Sequence, residues 1–287
     1  MPEKTAYTEK PWPPLRNALV SLLDQSRPHT IYGLGEADVT EALAAMRRIE
    51  RQLRVAVSLH AFILYCFVQA AREHPVAQTY RRRNKLITFE DIDVLTPIDK
   101  RLPNGVRIPV GHIVRAAQTK TLAQINWELR QAVNAPDLED DSAVRMRRRF
   151  ARMPALVRRW ISWRATRNPF LLKRIHGTSG ITSIQSHGFN IPLFTLPPAI
   201  HTLSFSIGNL CERLALAEDG TVVRRKVICV TGAADHDVMD GMVLTRFSYR
   251  FNSLLASAAG LDESFVGETR RLLEASQEER ARAASCA

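Results

Sequence analysis

Cysteine is scarce in this 287-residue chain: only Cys66, Cys211, Cys229 and Cys286 occur, with no C-x-x-C pair and no zinc-ligand spacing. That excludes a disulfide framework or a structural zinc site as the organising device and fits a reducing cytoplasm. No apolar signal core follows Met1-Pro2-Glu3-Lys4, so no secretory peptide is read. The longest apolar run, Val55 to Ala71, is interrupted by Ser58, His60 and Gln69. It is short for a bilayer crossing and reads as a buried helix. No internal repeat or low-complexity linker is found. One further absence is local: from Ser142 to His176 there is no Asp or Glu, against eleven Lys and Arg. The formal net charge of +11 therefore describes this segment, and the remainder is neutral.

The bulk of the chain is globular in composition, 45% hydrophobic and 24% charged. Helical spacing runs over Leu15 to Leu23, after an irregular lead-in that ends in Trp12-Pro13-Pro14. Thr30 to Gly35 suits a short strand. Asp38 or Thr40 can cap a helix through Leu53, with Glu41 in its first turn. Ser58 opens a more apolar helix ending near Pro75. Leu86 to Phe89 and Ile92 to Ile98 read as strands, and Pro103-Asn104-Gly105 as a turn before Val106 to Ile113. Thr121 to Val133 is an amphipathic helix. Beyond the basic segment, Ile181 to Ile184, Ile200 to Ile207, Arg213 to Ala217 and Val222 to Val230 read as strands, with Glu218-Asp219-Gly220 a hairpin turn. Met239 to Ala258 and Glu263 to Ala284 read as helices. Helices, then strands, then helices predict an α/β fold: a mixed sheet with helices packed on it.

Between the last strand and its helix stands Ala234-Asp235-His236-Asp237-Val238-Met239-Asp240-Gly241. A histidine near its ordinary pKa can take a proton at neutral pH, and a carboxylate follows four positions later. Alone, the motif is weak. It also fits a helix-entry loop with Asp240 as a first-turn acid and His236 on the surface.

The order of the surrounding residues adds to it. From about Leu15 to Leu255 the chain resembles the catalytic domain of the dihydrolipoamide acyltransferases of 2-oxo acid dehydrogenase complexes, and more distantly chloramphenicol acetyltransferase. Arg16 with Ala18 resembles the family's Arg-Lys-Ala-Ile opening, and Glu36-Ala37-Asp38-Val39-Thr40 its Glu-Val-Asp-Val-Thr. Val94 to Val110, with Asn104-Gly105 and Ile108-Pro109-Val110, is similar to a strand-turn-strand ending in Val-Pro-Val. Gly177-Thr178-Ser179-Gly180-Ile181-Thr182-Ser183 is similar to Gly-Gly-Thr-Phe-Thr-Ile-Ser-Asn, and Leu196-Pro197-Pro198-Ala199 to Asn-Pro-Pro.

The resemblance implies a single trimer-forming catalytic domain over 15–261, with residues 1–14 as a lead-in, an inserted helical segment over 142–176 and a C-terminal helix or tail over 262–287. It implies a two-substrate site between subunits, with coenzyme A thioester as substrate, a lipoyl group supplied only by another chain, and no metal. His236 becomes the general base, and Thr182 (or Ser183, if the register slips by one) donates to the oxyanion from a neighbouring subunit. Asp240 is structural and holds an arginine, for which Arg16 is the match; Gly241 lets the helix start pack closely. His187 and His201 read as packing or loop histidines. Three features depart from the pattern. Asp237 replaces an arginine and could raise the His236 pKa. Gln185 replaces a glycine, although Gly188 fits the next one. The short stretch before Leu15 is not expected to hold a lipoyl-bearing or subunit-binding module.

These departures sustain a competing reading, a catalytically reduced homologue that assembles or anchors a complex. A relative of peptide-synthetase condensation domains is disfavoured, because Asp235 stands where those carry a second histidine. The inserted segment interleaves arginines with Trp160, Trp163, Leu156, Phe170 and Leu171 on one or two amphipathic helices. That suits an anionic membrane surface, an acidic partner, a phosphate-rich ligand or packing within the trimer. No nucleic-acid-binding signature accompanies it. The expected location is cytoplasmic, with a peripheral membrane association if the basic helices meet lipid.

Overall fold

The computed structural model describes residues 16–25, 29–101, 107–134, 142–184 and 191–285. Its centre is a six-stranded sheet in the order β1-β8-β7-β6-β4-β5. The strands are β1 (Thr30–Asp38), β4 (Val94–Arg101), β5 (Arg107–Val114), β6 (Ser179–Ser183), β7 (Leu203–Leu216) and β8 (Val222–Asp235). The β4–β6 and β6–β7 pairs are parallel and the others antiparallel, so the sheet is mixed, as expected. A separate ribbon pairs β2 (Thr79–Arg82) with β3 (Lys85–Thr88).

One face of the sheet is covered by helices α2 (Thr40–Leu53), α3 (Leu59–Glu73), α4 (Leu122–Asn134) and α8 (Gly241–Ala256), with α9 (Glu263–Ser285) packed on α2 and α4. The basic segment forms α5 (Ser142–Arg152), α6 (Ala155–Arg167) and α7 (Pro169–His176); α1 (Arg16–Leu23) packs on α5 and α6, and α7 on the ribbon. The Ser58 side chain caps α3 by accepting the Ala61 N–H. Val39 takes the N-cap position of α2, while the Asp38 carboxylate accepts the Thr40 N–H at 2.8 Å. The core lies where α3 and α8 meet the sheet. Phe67, Phe205 and Phe247 pack ring against ring, with centroids 5.3 to 5.6 Å apart. Such edge and tilted aromatic contacts add about 0.5–1.5 kcal/mol each beyond area burial.

Three sequence expectations need correction. Ile200 to Ile207 and Arg213 to Ala217 are not two strands but one, β7, whose register shifts between Ile207 and Leu210. Gly208 and Asn209 look like a break in sequence. In space they form a bulge that keeps the strand going. A Cβ on Gly208 would collide with the Leu193 carbonyl, because the 191–200 strap crosses there. The basic segment holds three helices rather than one or two. The ribbon strand Thr79–Arg82 has no counterpart among the expected strands; its Tyr-Arg-Arg sequence has little alternation to signal it. The Pro103-Asn104-Gly105 turn lies outside the described residues.

The basic segment is tied to the sheet at its end. The buried Asp93 carboxylate accepts from the Arg115 guanidinium at 2.9 Å and from the Ala116 N–H at 2.9 Å. Arg115 also donates to the Lys173 and Arg174 carbonyls at the C-terminus of α7. Next to this lies Gly177, at φ +77°, where a side chain would strike the Asp93 carbonyl. Asp93→Ala leaves the half-exposed Arg115 guanidinium and the Ala116 N–H without their shared acceptor, so it should lower stability by about 1–3 kcal/mol. A urea midpoint within error of wild type would refute that.

Candidate active site

β8 delivers His236. Its last residue, Asp235, pairs with Thr30 of β1, and the His236 N–H extends the ladder by donating to the His29 carbonyl at 2.8 Å. The chain then turns: the Val238 and Met239 N–H groups both donate to the Asp235 carbonyl. Fully buried Met239 anchors the turn, and Asp240 becomes the N-cap residue of α8. The imidazole is thereby presented at a strand-to-helix junction with a fixed backbone and a 49% exposed ring. Its Nδ1 stands 3.8 Å from Asp240 Oδ1, close enough for an ionic contact and too far for a hydrogen bond.

Asp240 is 79% exposed, and the Arg16 side chain expected to clasp it lies outside the described side chains. Among the described residues of the chain, the close packing expected at Gly241 is not found. A Cβ there would meet nothing within 4 Å, because the start of α8 faces outward.

Asp237, the feared departure, turns away to other partners. Its carboxylate accepts from His29 Nδ1 at 2.8 Å and Arg81 Nη1 at 3.0 Å. The hydrogen bond from His29 above all, then that from Arg81, holds it below the usual carboxylate range. Asp235 is buried, with Oδ1 accepting the Asp237 N–H at 3.2 Å. Nothing in the sequence near His236 announced His29 or Arg81, which lie 208 and 156 positions from Asp237. Only the β1–β8 register, ending on Thr30 opposite Asp235, brings His29 beside the motif.

Thr182 and Ser183 lie on β6, and the register separates them. Ile181 is in the core beneath the helices, so Ser183 shares that face and Thr182 points to the opposite one. There Thr182 stands in one row with Ser206, Thr231 and Leu34. That row crosses β8 five residues before His236, which puts Thr182 and His236 of one chain roughly 15 Å apart along the strands alone. A single chain therefore does not bring them together. The 191–200 strap covers part of this second face, with Thr195 Oγ1 2.5 Å from Ser206 Oγ, and Tyr32 and Leu34 remain exposed. His201 is buried and donates through Nε2 to the His176 carbonyl at 2.9 Å, a packing histidine as read. Gln185, His187 and Gly188 lie outside the described residues. Among the described residues, no cluster of three or more His, Cys, Asp or Glu could hold a metal ion.

Comparison with known proteins gives this site a context. Residues 4–137 match the family described as 2-oxoacid dehydrogenases acyltransferase (catalytic domain). No curated protein is significantly similar in sequence. Among solved structures, a probable dihydrolipoamide acetyltransferase from Listeria monocytogenes superposes with a TM-score of 0.63 at 15% identity, covering 88% of this chain and 95% of that one. The dihydrolipoamide acetyltransferase of Azotobacter vinelandii gives 0.64 at 16% identity, over 90% and 95%. The cubic core of the pyruvate dehydrogenase multienzyme complex gives 0.62 at 16%, with the same coverage. His236 lies beyond the sequence match, so its context is the fold. The described chain has the fold of these dihydrolipoamide acetyltransferase structures, and residues 4–137 are similar in sequence to the acyltransferase family.

Proposed function

We propose that the protein transfers an acyl group from a coenzyme A or carrier thioester to a thiol or hydroxyl acceptor, with His236 as general base. The observation that carries this is the half-exposed His236 ring, fixed at the strand-to-helix junction of an acyltransferase fold with Asp240 four positions on. In the Azotobacter enzyme a serine, a histidine and an asparagine four positions after the histidine have been investigated for catalysis. With a thiol acceptor, His236 Nε2 takes the S–H proton while the sulfur attacks the thioester carbonyl. The tetrahedral oxyanion accepts a hydrogen bond from Thr182 of a neighbouring subunit. Collapse breaks the donor C–S bond, and the proton returns to the leaving thiolate.

The separation of Thr182 from His236 within one chain supports a site between subunits, as do exposed Tyr32, Leu34 and Leu196 on or beside the same face. A closed homotrimer satisfies both. One observation favours the competing reading of a subunit without turnover: Asp240 is largely open to solvent. The same assay separates the two. Full-length protein is incubated with acetyl-coenzyme A and dihydrolipoamide, and the acylated thiol is measured. Thr182→Ala should lower turnover about 100-fold and Ser183→Ala should lower it little. Oligomers mixed from Thr182→Ala and His236→Ala chains should recover activity that neither has alone. Absence of turnover in the wild type defeats the enzyme reading, and inactive mixtures defeat the shared site.

A further inference from the structure

Helix α6 is built inside out. Ser162, Ala165 and Thr166 face the body of the protein and are buried, whereas Leu156, Trp160 and Trp163 point to solvent at 81, 60 and 41% exposure. At spacings of four and three, these three side chains form one stripe. Exposed Arg159 and Arg164 flank it on either side. Arg167 extends it, with its guanidinium 4.8 Å above the Trp163 ring. On α5 and the turn that follows it, the outward side continues the theme with Arg145, Met146, Arg149 and Met153. An ordinary surface helix reverses this arrangement and buries its apolar stripe.

The pair is docked to the body before any partner arrives. Arg158 donates to the Met153 carbonyl at 2.5 Å and reaches Ser21 of α1 at 3.4 Å. Asn17 of α1 reaches the Ala151 carbonyl at 3.5 Å. The outward stripe is therefore not the unfinished face of a loose helix. It is the outer face of a helix packed on α1 and α7, with two indoles and a leucine between guanidinium groups.

We propose that α5 and α6 seat the protein on an anionic lipid surface. Charge complementarity selects this occupant: exposed Arg159, Arg164 and Arg167 border the indole stripe, and no carboxylate occurs in residues 142–176. A second copy packed patch to patch would bring the same cations against themselves. An acidic protein would answer the arginines and leave the indole stripe without a role. A bilayer interface takes both, with indoles at headgroup depth and guanidinium groups on lipid phosphates. The contact is peripheral, for no described helix is long and apolar enough to cross a membrane. The proposal goes beyond the acyl-transfer reading and does not depend on it.

Full-length protein is sedimented with vesicles of phosphatidylcholine alone and of phosphatidylcholine with about 30% phosphatidylglycerol, an anionic surface of cellular order. Binding to the anionic vesicles should be at least tenfold tighter, weaken in raised salt and shift tryptophan emission to the blue. The combined variant Leu156→Ser, Trp160→Ser, Trp163→Ser should lose at least tenfold, with its circular dichroism unchanged because those side chains are exposed. Arg159→Glu with Arg164→Glu should lose binding to the anionic vesicles alone. The proposal falls if neutral vesicles bind equally well, if neither vesicle binds, or if both variants bind as wild type. It falls too if an acidic polypeptide binds where vesicles do not, or if the serine variant changes oligomer mass, which would make the stripe a subunit interface.

Discussion

Replacing His236 by alanine should lower acyl transfer about 10³-fold while leaving the unfolding midpoint in place. The two halves of that expectation come from different atoms. Structurally, the residue works through its backbone: the N–H bonded to the His29 carbonyl belongs to the β1–β8 ladder and survives in alanine. The ring is half-exposed, and the ionic contact it makes with Asp240, at 3.8 Å, is worth about 0–0.5 kcal/mol at such a surface. Little stability is lost with it. Chemically, a positioned base contributes about 10²–10⁴ to proton transfer, and neither Asp237 nor His29 is a substitute. Asp237 is engaged by His29 and Arg81, and His29 is in turn engaged by Asp237. Asp240→Asn should cost far less, about tenfold, since it removes a charge 3.8 Å away and leaves the ring in place. Wild-type turnover in His236→Ala would reject the mechanism, whereas a fallen midpoint with proportionate loss of activity would make the residue structural.

What the sequence makes legible is what local chemistry decides. Ser58 announces α3 because a hydroxyl before an apolar run has one good use, the free N–H of the first turn. Glu218-Asp219-Gly220 announces the β7–β8 hairpin, with Gly220 at φ +81°. The His236-to-Gly241 motif falls at a strand-to-helix junction as its neighbours imply. What stays hidden is set by register and by surfaces. Thr182 and Ser183 are equivalent as letters, yet the pleat sends one to the helices and the other to the open face. The bulge at Gly208-Asn209 reads as a break, because nothing nearby reveals the strap that needs the glycine. Asp237 looked like a threat to the base for the same reason. Its partners arrive from β1's entry and from the β2–β3 ribbon, through pairings that spacing does not encode.

Acid should destabilise the fold through two histidines, His60 and His176, by about 2 kcal/mol each between pH 7 and pH 4.5. Burial lowers both from 6.5 to about 4, because an imidazolium loses more than an imidazole when taken from water. His60 Nε2 lies 2.6 Å from the Thr96 hydroxyl, and among the described residues its enclosed Nδ1 has no hydrogen-bond partner to receive a second proton. His176 ends α7, where its carbonyl takes the His201 N–H and Arg115 clasps the Lys173 and Arg174 carbonyls. The direction follows from which state binds the proton first. With the folded pKa below the unfolded one, the unfolded chain protonates as pH falls through 6.5 and the folded chain does not. Stability is full above 6.5, declines down to about 4 and changes little from this source below that. Carboxylates held low by their partners, Asp237 among them, give up their contribution in a lower window, through and below the ordinary carboxylate range. The slope between 6.5 and 4.5 therefore belongs chiefly to the histidines. Urea midpoints across that range should fall steadily in the wild type. His60→Gln, which keeps an amide near Thr96 and cannot take the proton, should flatten the slope by about half, and His176→Gln by a similar share. A flat wild-type profile above pH 4.5, or a slope that neither variant changes, would overturn the assignment.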